Sequence, residues 1–365
     1  MEHSDKLYQI AFSQLHGIGP VRARRILKLL DHPRDFFTLN YSTLQQLTSI
    51  PIAQLEKTER AHALLRAQGQ LPYLANEQVK YHFITEATYP ERLRHCTDAP
   101  LGLFYRGQEN CWKKPRCIAV VGTRQQTSYG KKIVADFISS LPKDILVISG
   151  LALGVDADVH EQCLNNGLQT IGVLGHGLDR IYPASNRKLA LQMLNSGGLF
   201  SEFLIGTKPD RMHFPMRNRI IAGLADAIVV IESNENGGSL ITAELGNDYN
   251  REVFAFPGPI HHLQSEGCHG LISKQQAHLL TSSAALLKMM NWTNSQQGAN
   301  LDVNKPFSAT QQALLAQFQI KNSWTIDELA NLTNLPVANI SSALFELELE
   351  GSLQNIGGNR YRLPL

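Results

Sequence analysis

The chain has 365 residues, 43% hydrophobic and 18% charged, which supports a sizeable buried core spread over two or three domains. With 34 Lys and Arg against 32 Asp and Glu the net charge is +2, so a polyanion must be met by a local basic patch, not by bulk charge. No run reaches the roughly 18–20 apolar residues of a membrane span, the start MEHSDKLYQI lacks a signal-peptide core, and five cysteines with no C-x-x-C pair exclude a disulfide framework or zinc knuckle and fit a reducing cytoplasm.

Residues 1–68 read as a helical domain. Its informative feature is Leu15-His16-Gly17-Ile18-Gly19-Pro20, followed by Val21-Arg22-Ala23-Arg24-Arg25. The glycines allow a tight turn, and Pro20 suits the first turn of the next helix. Exposed N–H groups at that helix start, with Arg22, Arg24 and Arg25 beside them, fit a helix-hairpin-helix (SAM-like) phosphate contact. An ordinary helix–turn–helix with a solvated basic face fits equally well. Residues 69–114 read as a linker and extension.

From residue 115 the pattern changes to apolar runs alternating with amphipathic helices. The runs are 117–122, 145–150, 170–175, 198–202, 227–232 and 251–258. Near-continuous apolar strands separated by helices predict a doubly wound α/β domain, an extended Rossmann-like parallel sheet over 115–290. Ligands of such sheets bind outside the carboxyl ends of the strands. A polar stretch, 291–306, reads as a second linker. Residues 307–365, three helices and a β-hairpin, have the winged-helix order. Their last helix, Val337 to Glu350, carries Glu346, Glu348 and Glu350 and no Lys or Arg, which favours a partner-docking or structural wing over a phosphate contact.

Several chemistries are excluded by spacing. The Gly122–Lys132 segment is too long between glycines for a Walker A loop, and Lys132 stands where a magnesium-holding hydroxyl is needed. The first strand does not run into G-x-G-x-x-G, which argues against NAD or FAD. Asp156, Asp158 and His160 do not share one helix face, so Asp156 is expected to cap the helix and His160 to pack. His261, His262 and His269 have no ligand-spaced partners. No catalytic residue, metal or cofactor is assigned.

Anion-binding features accumulate instead at the strand ends. Arg124 follows the first strand; Ser149, Gly150, Gly175 and Gly177 let phosphates approach the backbone. Arg180, Arg187 and Lys188 flank Tyr182-Pro183. The run Arg211-Met212-His213-Phe214-Pro215-Met216-Arg217-Asn218-Arg219 interleaves arginines with a stacking aromatic. The loop Asn236-Gly237-Gly238-Ser239 opens a helix and offers a phosphate cradle. Against this, Arg217 and Arg219 could pair with Glu202 and Glu232, and Phe214 could be core.

These residues resemble the DNA-processing protein A family (DprA, also called Smf). The resemblance runs through Tyr89-Pro90, Asp98-Ala99-Pro100, Gly122-Thr123-Arg124, Ser149-Gly150-Leu151-Ala152-x-Gly154-Val155-Asp156, Tyr182-Pro183, Phe214-Pro215-x-Arg217-Asn218-Arg219 and Gly238-Ser239-Leu240-Ile241-Thr242, over residues 80–290. It implies a homodimer, joined through the Rossmann-like domain, that binds single-stranded DNA without sequence preference. It also implies protection of incoming strands and loading of the RecA recombinase onto them in natural transformation. By motif match it implies DNA contacts at Arg124, Arg187, Arg211, Phe214, Arg217, Asn218, Arg219 and the 236–239 loop. Leu153, Gly237, His269 and the 274–277 segment depart from the family pattern. Two other readings stay open: a nucleotide phosphoribohydrolase using Gly237-Gly238 with Glu244 as acid–base, and a recombinase-docking scaffold that barely touches DNA.

Overall fold

A computed structural model describes residues 2–75, 79–293, 307–318, 321, 323–333, 335–349, 352–355 and 360–363. The six apolar runs each become a strand: β3 (Arg116–Val121), β4 (Ile145–Ser149), β5 (Thr170–Leu174), β6 (Gly197–Ser201), β7 (Ala227–Val230) and β8 (Glu252–Ala255). All six pair in parallel within one sheet. Side chains alternate between two cores. Ile118 and Val120 of β3 join Val134, Phe137 and Ile138 on one face, whereas Ala119 and Val121 join Ile220 and Ile221 on the other. This period of two, with both faces covered, is what a doubly wound sheet requires.

Three further strands extend the sheet beyond the sequence expectation: β1 (Lys80–Phe83), β2 (Gly102–Gly107) and β9 (His278–Leu279). Among the described residues the order is β1-β2-β6-β5-β4-β3-β7-β8-β9, with β1 and β2 antiparallel. The segment expected as linker and extension therefore carries two strands. Their Tyr81, His82 and Tyr105 are buried through aromatic contacts with Phe104, Trp112 and Phe200; β1 gives no apolar run to read, and the short run Leu103-Phe104-Tyr105 of β2 stands before the strand–helix alternation begins.

The amino-terminal helices are not separate either. Met1–Trp292 is one compact unit and Thr293–Leu365 another. Ile10 and Phe12 of the helix Glu2–Ser13 enter the same core as the sheet, and Lys6 Nζ donates to Tyr81 O at 2.8 Å and to Glu86 at 2.6 Å. Gly17 takes φ +70° in the expected tight turn, and Pro20 opens the next helix. Of the three nearby arginines, Arg24 is committed to the backbone oxygens of Cys96 and Arg94; Arg22 and Arg25 are exposed.

The second unit has helices Ala309–Phe318, Ile326–Thr333 and Val337–Leu349 around Leu314, Leu329, Ile340 and Leu344. Strands β10 (Ser323–Thr325), β11 (Gln354–Asn355) and β12 (Arg360–Arg362) form a small sheet in the order β10-β12-β11, the winged-helix arrangement with one strand more than the sequence suggested. Glu350 and most of the expected 291–306 linker lie outside the described residues. Among those residues no helix is long and apolar enough to cross a membrane.

Candidate nucleic-acid interface

Strands β3 to β6 are laid down in one direction across the sheet and β7 to β9 in the other, with β3 and β7 adjacent. Loops leaving neighbouring carboxyl ends diverge at such a reversal and open a crevice. Here it measures about 600 Å³ and is bounded by Gly122-Thr123-Arg124 after β3, the 237–239 turn after β7, and the helix His213–Leu224.

The turn after β3 is fixed by Glu232. Its backbone oxygen accepts from Thr123 N at 2.8 Å, and its carboxylate accepts from Thr127 N at 3.0 Å and Thr127 Oγ1 at 2.5 Å. Opposite lies Gly154 at φ +74°, where a Cβ would stand 2.4 Å from Thr123 O. Only glycine fits there.

Arg217 forms the floor and is buried. Its Nη1 donates to Gly150 O and Val173 O, both at 2.5 Å, and its Nε to Asn218 Oδ1 at 3.2 Å. Burial lowers its pKa to about 10, with the nearby Asp156 charge opposing that shift. Burial likewise pushes the Asp156 carboxyl above its ordinary value, and Arg217 pulls it back. Asp156 is not the expected N-cap: Gly154 holds that position, and the Asp156 carboxylate accepts from Ala152 N at 3.3 Å. His160 is packed as expected, its Nδ1 2.7 Å from Thr170 Oγ1. No group of three potential ligands is placed to hold a metal among the described residues.

Above this floor the groups are exposed and differently equipped. The Arg124 guanidinium lies 5.2 Å from the centroid of the half-buried Phe214 ring. Tyr182, 50% exposed, lies 6.0 Å from the same ring at an interplanar angle of 33°. Arg211 is exposed on the same rim. Neither Arg124 nor Arg211 is in a close ion pair among the described residues, although the Arg124 charge acts on Asp156 in the same crevice. Asn218 Nδ2 donates to Gly238 O at 3.2 Å and so ties the cationic helix to the 237–239 turn. Gly237 caps the helix Gly238–Asp248 without a side-chain bond, and Ser239 Oγ bonds Ser233 Oγ at 2.8 Å.

The crevice thus brings together Arg124, Arg211, Phe214, Arg217, Asn218, Gly237, Gly238 and Ser239. It does not include the other expected residues. Arg219 pairs with Glu202 and donates to Asp98 O at 2.7 Å, which bears out the ion-pair alternative for that residue. Ser149 Oγ is buried on Val120 O. Gly150 is small because the Arg217 guanidinium lies against it, and Gly175 because Phe214 does. Gly177 packs against Leu204 O, Asn236 is exposed beyond the crevice lining, and Arg187 lines a separate groove. Glu244, the proposed acid–base residue, faces yet another groove beside Asp248 and Glu266. Tyr182 was not among the expected contacts; its sequence signals were the flanking Arg180, Arg187 and Lys188 and its place in the Tyr182-Pro183 motif.

Residues 80–291 match the DNA recombination-mediator protein A family, starting at β1, and residues 302–359 match the winged-helix domain of the same family. The chain belongs to the DNA recombination-mediator protein A family. It is 30% identical to a Synechocystis Smf protein over 99% of this chain and 100% of that one. It is 42% identical to the Streptococcus pneumoniae DNA processing protein DprA over 56% of this chain and 72% of that one. The crystal structure of the S. pneumoniae protein superposes with a TM-score of 0.65, at 33% identity, over 77% of this chain and 97% of that one. DNA processing protein A from Helicobacter pylori, whose single-stranded DNA binding mode has been described structurally, gives 0.53 at 26% identity, over 59% and 96%. Membership in this family makes the chain a DNA-processing recombination mediator with the α/β and winged-helix architecture read from its sequence.

Proposed function

We propose that the chain binds single-stranded DNA in the crevice without sequence preference and, as a homodimer joined through the Rossmann-like domain, shields incoming strands in the cytoplasm and loads the RecA recombinase onto them during natural transformation. One observation carries the DNA site: exposed Arg124, Arg211 and Tyr182 meet the half-buried Phe214 ring at the strand reversal, cations for phosphates beside flat rings for bases. Such a pairing reads no base edge and suits any sequence. The Gly237–Ser239 helix start adds backbone N–H groups for a phosphate. The single-stranded DNA binding of the H. pylori relative supports the same reading.

Charge reversal tests it. Arg124→Glu with Arg211→Glu is expected to abolish single-strand binding at moderate salt, whereas Arg360→Glu in the winged-helix unit leaves it intact. Binding that survives the double reversal contradicts the crevice site, and loss of function on reversal in the winged-helix unit but not in the crevice supports the docking-scaffold reading. Loading is tested by recombinase filament assembly on strands already coated with this protein: faster assembly than on bare strands is expected, and inhibition contradicts it.

A further inference from the structure

The turn 179–187 after β5 has two differently furnished sides. Tyr182 lines the crevice, whereas Arg180, Ile181, Ala184 and Arg187 line a second groove of about 360 Å³. The floor of that groove is apolar, made by Leu178, Ile181, Ala190, Leu191 and Leu199. Leu191 is 52% exposed, an uncovered apolar side chain next to charged ones. The rim is cationic and its members differ. Arg180 makes a two-point contact with Asp179 at 2.7 and 3.0 Å, and Asp179 in turn accepts from Gly206 N at 2.8 Å, so this arginine stiffens the turn. Arg187 is exposed and, among the described residues, forms no ion pair.

Resting on the single-strand reading above, we infer that this groove is a second nucleotide subsite on the same strand, reached by crossing the turn at Tyr182. An apolar floor under a cationic rim complements a nucleotide: base and sugar cover Leu191 and Ile181, and the phosphate meets Arg187. Continuity with the crevice selects the occupant, because the two depressions share the 179–187 turn as a wall and Tyr182 offers a ring at the crossing. A mononucleotide has the same chemistry but gains nothing from the crevice, so strand length separates the two sources.

The test compares oligothymidylates of about four and about twelve nucleotides, lengths that bracket a short single-strand site. Leu191→Asp puts a carboxylate on an exposed position of the floor. Affinity for the longer strand is expected to fall about tenfold, because the new carboxylate removes apolar cover and repels the strand, with the short strand unaffected. Arg187→Ala is expected to reduce the salt slope on the longer strand by about one. Unchanged long-strand affinity in Leu191→Asp, or equal losses on both lengths, overturns the subsite while the crevice reading stands. Thymidine monophosphate competing as well as the longer strand overturns it in favour of a mononucleotide pocket. If the unaltered protein binds neither length, the crevice reading falls and the subsite with it.

Discussion

The Arg124 guanidinium sits 5.2 Å from the centre of the Phe214 ring, so the charge and the flat apolar face of the crevice are presented at one point. Arg124 arrives on the turn after β3 and Phe214 on the helix His213–Leu224, nearly a hundred residues later in sequence. Their roles are separable by mutation.

Phe214→Ala removes a stacking face without removing charge. Affinity for single strands is expected to drop by about 1–3 kcal/mol, with the dependence on salt unchanged because stacking releases few counterions. Anisotropy titrations at several salt concentrations measure both quantities. A Phe214→Ala protein that binds as tightly as the parent assigns the ring to packing.

Arg124→Ala removes a phosphate contact. It is expected to weaken binding to all sequences alike and to reduce the slope of log K against log salt by about one. A loss confined to particular sequences contradicts a backbone contact.

Arg217 is a different kind of arginine. It is bound to Gly150 O and Val173 O, and its charge partly offsets the effect of burial on Asp156. Arg217→Ala leaves the Gly150 and Val173 carbonyls without their donor in the interior, and denaturant unfolding is expected to show a loss of about 1–3 kcal/mol. A variant of unchanged stability that binds DNA poorly shows instead that Arg217 acts on the strand directly.

Acid is expected to destabilise the first unit through two buried histidines. Burial, reinforced by Arg217, holds His160 at about 3, and burial with Lys6 holds His82 at about 4. Both stay neutral when folded, whereas the unfolded chain protonates near the ordinary imidazole value of 6.5. The unfolded state therefore binds more protons below that value, and stability present above it is lost as the pH falls. Between about pH 6.5 and pH 5 each histidine accounts for a loss of about 2 kcal/mol. Unfolding titrations across this window check the prediction, and His160→Asn is expected to flatten the dependence.

The central sheet was legible because its strands are buried on both faces and read as apolar runs. Strand β1 was not, since Tyr81 and His82 are buried through ring contacts that leave no apolar pattern, and β2, although Leu103-Phe104-Tyr105 is apolar, stands before the strand–helix alternation begins. Arg124 could be placed from its position at a strand end, and Phe214 from the arginines interleaved around it. The Arg217-Asn218-Arg219 run could not be resolved: residues two apart on a helix point roughly 200° from each other. Sequence shows two arginines, and only the packing shows one under the crevice and the other on Glu202. Gly150 was misread for a related reason, because the group that needs its small size, Arg217, is 67 residues away.

The most direct measurement is anisotropy binding of a labelled, mixed-sequence single strand to the full chain, across a salt series and against unlabelled duplex. The account predicts tight binding that weakens steeply with salt and that duplex fails to compete away. Absence of binding at low salt, or equal competition by duplex, contradicts it.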